Sequence, residues 1–159
     1  MKKNNKNVYG VAGSPLGHSY SPILHNFWIR NKNINAVYKK FEVKNTDLKN
    51  IIKKIKENKI KGLNITIPYK AKIVSYLDDI RGDAKKTKSV NTVLFKNNKI
   101  IGENTDVYGV KKGFIKKIKN INNKTVFILG AGGVVPSIIL ALLNKGVKDI
   151  IICNRTQSK

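Results

Sequence analysis

The residues best placed to do chemistry lie late in the chain, where the apolar run Val126 to Leu129 breaks at Gly130, Ala131, Gly132 and Gly133 and an apolar helix-like run follows from Val134. A strand that stops at glycines ahead of a helix N-terminus can cradle the pyrophosphate of a dinucleotide. The glycines admit close backbone approach, while the first N–H groups and the dipole of the helix face the anion. The pattern is incomplete, since Val135 stands where a third glycine would complete it, and glycine patterns alone match many unrelated turns. A second apolar strand, Ile150 to Cys153, ends in Asn154, Arg155 and Thr156, with Lys159 beyond. An acidic residue there would bind a ribose 2′-hydroxyl, whereas a nearby arginine suits a 2′-phosphate. Asp149 lies at the wrong end of the strand for the first role, so the stretch reads as a site for NADP rather than NAD.

Four polar stretches precede it: Ser14 to Pro22 with His18, Ser19 and Ser21; Asn64 to Lys70 with Thr66 and Pro68; Val90-Asn91-Thr92; and Gly102 to Asp106 with Asn104 and Thr105. Each also has a plain structural reading. Ser21 before Pro22 reads as a helix N-cap, and a helix start attracts anions whether or not one binds. Asn64 and Thr66 read as strand-end residues, and Asn104-Thr105-Asp106 as a second cap. Lys70 has no distinction of its own among 29 lysines. Two histidines and one cysteine, widely spaced, offer no metal site. His25 reads as packing or surface, and Cys153 as buried packing in a reducing compartment.

The elements that must position these groups alternate along the chain. Val8 to Ala12, Ala36 to Val43 and Gly62 to Ile67 read as strands, with helices over Ser21–Asn31 and Asp47–Asn58. Helical stretches follow over about 70–88, then a hairpin of Thr92–Lys96 and Lys99–Gly102 around Asn97-Asn98, and a helix over about 106–119. Alternation of this kind predicts a mainly parallel α/β sheet. In the helix at 46–58, Leu48, Ile51, Ile52 and Ile55 form the inner stripe; at 107–119, Val107, Val110, Phe114 and Ile118 do so. The formal charge of +23 suggests nucleic acid at first sight, but 29 of the 32 basic residues are lysines and they fall on the wet faces of these helices. No finger spacing, aromatic-interleaved basic motif or basic tail accompanies them, so a nucleic-acid partner is not expected. Val126 to Leu143 is 18 residues without a charge, at the lower limit for a membrane span; its glycines, Pro136 and change of period point to a strand, turn and helix instead. The N-terminus is basic with no apolar core after it, so a cytoplasmic chain without a signal peptide is expected.

Taken in order, the stretches Gly13-x-Pro15-x-x-His18-Ser19-x-Ser21-Pro22, Asn64-x-Thr66-x-Pro68-x-Lys70, Val90-Asn91-Thr92, Asn104-Thr105-Asp106, Gly130-Ala131-Gly132-Gly133 and Asn154-Arg155-Thr156 resemble the shikimate dehydrogenase family from Val8 to Lys159. The resemblance implies an α/β chain: a mainly parallel substrate domain over 1–106, then, over 107–159, a linking helix and the start of a Rossmann-type NADP-binding domain. It implies an oxidoreductase that interconverts shikimate and 3-dehydroshikimate with NADP on the route to chorismate and the aromatic amino acids. By the same resemblance Ser19 and Ser21 bind the substrate carboxylate, Thr66, Asn91 and Asp106 hold ring hydroxyls, and Asn64 shapes or joins that site. Lys70 and Asp106 form the catalytic pair, in which the amine accepts the hydroxyl proton if burial favours its neutral form, while Asp106 opposes that by favouring the ammonium. Gly130, Ala131, Gly132, Gly133, Val134, Asn154, Arg155, Thr156 and Lys159 are the positions implied for the cofactor. A homodimer is compatible with the family.

Three departures from the family pattern stand out. Val134, Val135 and Pro136 replace the small and basic residues usual after the glycines, and Lys88-Ser89 stands where Gly-Ala commonly precedes Val-Asn-Thr. The family's return segment, with a substrate-binding glutamine and nicotinamide contacts, is not in this sequence, so the chain is expected to be an incomplete form, with Val147 to Cys153 uncovered and no useful turnover by itself. A catabolic quinate/shikimate dehydrogenase and a non-catalytic shikimate-binding fragment are the competing readings; Arg155 argues against the first, and the intact Lys70 and Asp106 against the second.

Overall fold

A computed structural model describes residues 6–118 and 120–156. Six strands form one sheet: β1 (Asn7–Gly13), β2 (Ala36–Glu42), β3 (Gly62–Ile65), β4 (Asp79–Ile80), β5 (Thr92–Lys96) and β6 (Lys99–Glu103). They lie in the order β2-β1-β3-β5-β6-β4, with parallel pairing at β1–β2, β1–β3 and β4–β6 and antiparallel pairing at β3–β5 and β5–β6. Helix α1 (Ser21–Asn31) covers β1 and β2 on one face, where Ile29 meets Val11, Leu16 and Tyr38. Helix α2 (Leu48–Lys56) covers the other face, its Leu48, Ile51, Ile52 and Ile55 buried with Leu63, Ile65, Val93 and Ile100 as the stripe predicted. The β5–β6 turn follows its asparagines, which take the positive φ values 52° (Asn97) and 58° (Asn98) that a tight two-residue hairpin demands.

The second unit is a strand, helix and strand. After α3 (Asp83–Thr87) and α4 (Asp106–Gly113), β7 (Thr125–Leu129) pairs in parallel with β8 (Asp149–Cys153), and α5 (Val135–Leu143) crosses between them. Its core joins Val135, Ala141, Leu142 and Val147 to Val107 and Ile115, so α4 is the element shared between the two halves.

Several expectations are corrected. The helix expected over about 106–119 ends at Gly113 and continues as a 3-10 turn at Ile115–Lys117. The stripe therefore holds at Val107 and Val110 but then shifts, with Ile115 buried and Phe114 and Ile118 exposed. The span 70–88 holds a 3-10 turn at Lys72–Tyr76, the short strand β4 and α3 rather than helix alone. Tyr20, not Ser21, occupies the cap position of α1, and no side chain caps it; Ser21 and Pro22 lie in the first turn. Cys153 is exposed, because a two-stranded sheet with one crossing helix leaves its far face uncovered, as Phe127, Leu129 and Ile151 also show.

Candidate functional site

The parallel strands β1 and β3 end side by side, and their C-terminal loops are stitched together: Ser14 N donates to Ile67 O at 3.0 Å and Thr66 N to Ala12 O at 2.9 Å. Gly13 is required at this seam, since a Cβ there would run into the Thr66 methyl group and the Ile67 carbonyl. Loop ends of this kind, at the carboxyl edge of parallel strands, are where open α/β sheets bind ligands.

Beyond the seam, Lys70 Nζ donates to Asp106 Oδ2 at 2.7 Å, both side chains being largely shielded from solvent. The other carboxylate oxygen accepts from Asn91 Nδ2 at 2.8 Å, and the same amide nitrogen donates to Thr105 Oγ1 at 3.0 Å. Asn91 Oδ1 accepts from Thr105 N at 2.9 Å and from Thr92 Oγ1 at 3.1 Å. Backbone bonds fix the parts in turn: Val90 N donates to Lys70 O, Ile65 N to Asn91 O and Asn91 N to Glu103 O. An amine, a carboxylate and an amide from three separate stretches thus converge on one point. A Lys–Asp pair held in this way can move a proton at a hydroxyl placed against Nζ.

Asn64 joins this group through Nδ2, which donates to Asn91 O at 3.3 Å and Thr92 Oγ1 at 3.4 Å. Its Oδ1 accepts from the Tyr38 hydroxyl at 2.7 Å. Burial pushes the Tyr38 phenol up to about 12, and its ring stacks on His25 with centroids 4.1 Å apart. Burial likewise pulls the His25 imidazole below its ordinary value. Tyr38 is a site-supporting residue the sequence did not disclose; no spacing ties it to Asn64, 26 positions away, and only the β2-β1-β3 strand order brings them together. Ser19 and Ser21 sit half-buried where the β1 loop enters α1. Among the described residues they share no hydrogen bond with the Lys70 group, and Thr66, just past β3, is held by its backbone N–H, which donates to Ala12 O, and by its carbonyl, which accepts from Tyr69 N. Thr66, Ser19 and Ser21 thus make no side-chain hydrogen bond to the Lys–Asp pair among the described residues.

The glycine turn forms the second site. Gly130 has φ +98°, a value that L side chains rarely adopt, and its N–H donates to Cys153 O at 2.7 Å. Ala131 N donates to Asn154 Oδ1 at 3.1 Å, and Asn154 Nδ2 to Thr156 O at 2.7 Å, so Asn154 folds the end of β8 onto the turn. Gly130, Ala131, Gly132, Asn154, Arg155 and Thr156, with Cys153, line an open groove of about 500 Å³. A Cβ at Gly132 or Gly133 would meet nothing within 4 Å, leaving room for a ligand to approach the backbone where Val134 leads into α5. These features fit a dinucleotide phosphate, with Arg155 exposed at the rim. Lys159 lies outside the described residues. A second groove of about 330 Å³ runs from Lys70 and Ser89 to Ala131, Gly132, Gly133 and Pro136, so the Lys–Asp site and the glycine turn open onto one space.

No group of His, Cys, Asp and Glu that could hold a metal ion occurs among the described residues, and no described helix is long and apolar enough to cross a membrane.

Comparison with known proteins is consistent across sequence and structure. Residues 11–93 match the family model for the shikimate dehydrogenase substrate binding domain, and residues 114–159 match that for shikimate / quinate 5-dehydrogenase. The shikimate dehydrogenase (NADP(+)) of Pelagibacter ubique is 45% identical over 154 residues, a match covering 97% of this chain and 58% of the relative. The crystal structure of the Aquifex aeolicus shikimate dehydrogenase superposes with a TM-score of 0.89 at 39% identity, over 99% of this chain and 59% of that one. A shikimate dehydrogenase in complex with NADP+ superposes with a TM-score of 0.87, also at 39% identity, over 98% of this chain and 54% of that one. The chain thus spans somewhat more than half the length of the relatives it matches.

Proposed function

Because the chain belongs to the shikimate dehydrogenase family, we propose that its Lys–Asp site takes shikimate, its glycine groove takes NADP, and the two together serve the reversible oxidation of shikimate to 3-dehydroshikimate. The observation that carries this reading is the 2.7 Å Lys70–Asp106 contact, opening onto the same groove as the glycine turn. When bound, the nicotinamide supplies the hydride acceptor. Lys70 takes the proton from the hydroxyl being oxidised, so one hydride and one proton leave the alcohol. Asp106 holds the ammonium and a ring hydroxyl; Asn91 fixes the carboxylate and, with Thr66, contacts the ring. Ser19 and Ser21 bind the carboxylate beside the start of α1, Asn64 braces Asn91, and Arg155 with Thr156 reads the 2′-phosphate while Gly130 to Val134 receive the pyrophosphate.

We place the division between the substrate part and the nucleotide part at 106/107; the two separate cores, one ending at Ile100 and the other beginning at Val107, support it. We also propose a cytoplasmic homodimer. The outward face of α1 carries Tyr20, Ile23, Leu24, Phe27 and Trp28, all largely exposed, with no charge between them. Such a face fits the apolar centre of an interface between two copies. Sedimentation of the wild-type chain and of Phe27→Lys tests this: a dimer that Phe27→Lys dissociates is expected, and two monomers would reject it.

The binding reading is tested by titrating the labelled chain with shikimate, quinate, NADP+ and NAD+ while following backbone amides and absorbance at 340 nm. Shikimate is expected to move the amides of Lys70, Asn91 and Asp106, and NADP+ those of 130–134. Quinate bound in place of shikimate, or NAD+ in preference to NADP+, would overturn the assignment.

A further inference from the structure

Lys88-Ser89, a departure that the sequence does not explain, acquires a role in the structure. Lys88 closes α3 in the left-handed conformation, with φ 50° and ψ 31°, and so turns Ser89 inward. Ser89 is 2% exposed, and its Oγ donates to Gly133 O at 3.4 Å, reaching from the substrate side to the glycine turn. Its own carbonyl accepts from Asn104 Nδ2 at 2.8 Å.

Asn104 is 8% exposed and touches both halves of the molecule. On one side Oδ1 accepts the N–H of Asp106 at 2.9 Å and of Val107 at 3.3 Å, holding the first turn of α4 and with it the Asp106 side chain. On the other, Nδ2 donates to Ser137 Oγ at 2.9 Å and Thr87 Oγ1 at 3.1 Å. Ser137 is fully buried in the first turn of α5, directly after the glycine turn. Around this knot the α4–α5 contact is aliphatic, built from Val107, Val135, Ala141 and their neighbours. Aliphatic contacts have no direction and tolerate sliding, whereas a fully satisfied buried polar network admits one arrangement. Every buried side-chain nitrogen and oxygen among the described residues has a partner.

We infer that Asn104, with Ser89 and Ser137, is a positioning set that holds the glycine turn at one fixed placement against the Lys70–Asp106 pair, and so sets the reach between the two ligand sites. The inference rests on the function proposed above for its consequence, but the tie itself is a property of the ligand-free chain. Asn104 touches no ligand in this account and acts through Asp106 on one side and α5 on the other.

The test compares the wild-type chain with Ser137→Ala, Ser89→Ala and Asn104→Ala by residual dipolar couplings of the labelled, ligand-free protein. In the wild type, residues 6–105 and 125–156, on either side of the shared α4, are expected to fit a single alignment tensor. In Ser137→Ala each half is expected to keep its own couplings while the two tensors separate; a single shared tensor would overturn the inference. Ser89→Ala, which removes one peripheral bond and leaves the packing, provides the reading if Ser137→Ala does not fold. Faster hydrogen exchange and shifted amides at Gly132 and Gly133 are expected, and unchanged ones would overturn the inference.

A ligand arm separates positioning from stability. Binding of shikimate and NADP+ is expected to be mutually favourable in the wild type. Ser137→Ala should cut that coupling by about 5-fold or more while leaving shikimate affinity alone within about twofold. Asn104→Ala should also weaken shikimate itself, because the hold on Asp106 is lost. Equal coupling in the wild type and Ser137→Ala would reject the positioning role. If the wild type binds neither ligand yet the tensors separate in Ser137→Ala, the functional reading fails and the positioning set stands.

Discussion

Replacing Tyr38 with phenylalanine tests the support beneath the candidate site at a single atom. The hydroxyl donates to Asn64 Oδ1 at 2.7 Å, the residue is 5% exposed, and no other described group donates to that oxygen. Tyr38→Phe keeps the ring, its stacking on His25 and the β2 strand, but leaves Asn64 Oδ1 without its donor. A lost hydrogen bond with a half-buried acceptor left behind costs about 1–2 kcal/mol. The same burial pushes the phenol up to about 12, and this gives the prediction a second handle. Below the ordinary tyrosine value of about 10 both folded and unfolded chains keep the proton, and the contribution of the hydroxyl is fully present. Between that value and about 12 the unfolded chain ionises while the folded one does not, so stability declines as pH rises. At pH 11 the difference amounts to roughly 1.4 kcal/mol for this one group.

The assay is urea unfolding at pH 8 and pH 11, followed by fluorescence of Trp28, the only tryptophan, whose ring meets His25 edge-on. Titration of the other tyrosines and the lysines is common to both proteins and cancels in the difference. The wild type should exceed Tyr38→Phe by about 1–2 kcal/mol at pH 8, and the gap should shrink by roughly 1.4 kcal/mol at pH 11. A gap that is the same at both pH values would mean that the hydroxyl ionises as readily in the folded chain, and the buried Tyr38–Asn64 bond would have to be abandoned.

Arg155→Ala is expected to weaken NADP+ by about 1.5–3 kcal/mol, one charge-assisted contact, and NAD+ by much less; equal losses measured by calorimetry would remove Arg155 from 2′-phosphate recognition. Lys88→Gly is expected to stabilise the chain by about 0.5–1 kcal/mol, since glycine relieves the left-handed backbone at some entropic cost, and a lower urea midpoint would contradict that balance. Gly10→Ala should destabilise by about 2–3 kcal/mol because the new Cβ meets the Lys39 carbonyl and the Phe41 ring across the β1–β2 pair; an unchanged melting temperature would contradict the Gly10–Lys39 register.

The periodic elements were the most legible part of the sequence. The stripe Leu48, Ile51, Ile52 and Ile55 is buried as its spacing implied, and the paired asparagines at 97 and 98 make the expected tight turn. Reading failed where length and local pattern carry no information. β4 is two residues long and exists because it pairs with Ile101 and Gly102, a long-range contact with no local signature. The apolar stripe does not continue beyond Val110, because the helix stops at Gly113 and a 3-10 turn brings Ile115 inward instead of Phe114. Within the candidate site, Lys70, Asn91 and Asp106 could be singled out only as parts of ordered motifs, and the bonds between them appear only in three dimensions. Tyr38 and Ser137 had no motif to mark them, and Ser89 stood out only as a departure beside Val90-Asn91-Thr92, since their roles depend on strand order and on the α4–α5 crossing.

The distribution of charge says more about function than its total. In a chain with 29 lysines among 159 residues, solvated positions have been free to take lysine, so the stretches that lack charge are informative. Two stand out: residues 7–29 and residues 125–144 contain no Lys, Arg, Asp or Glu. The first is β1, its loop and nearly all of α1; the second is β7, the glycine turn and α5. Each is a strand that hands over to a helix at the carboxyl edge of a parallel sheet, the place where backbone N–H groups face a ligand. A long flexible ammonium in either loop would compete with the fixed N–H groups for an anion and hold it in many poses. The charges that do enter the candidate sites come from elsewhere: Lys70 is held by Asp106 at 2.7 Å, and Arg155 arrives at the end of β8. The remaining lysines give the chain its formal net charge of +23, which draws a carboxylate or a phosphate toward the protein without deciding where it sits. On the proposed function, attraction would fall to the scattered lysines, and placement to the uncharged loops together with Lys70, Asp106 and Arg155.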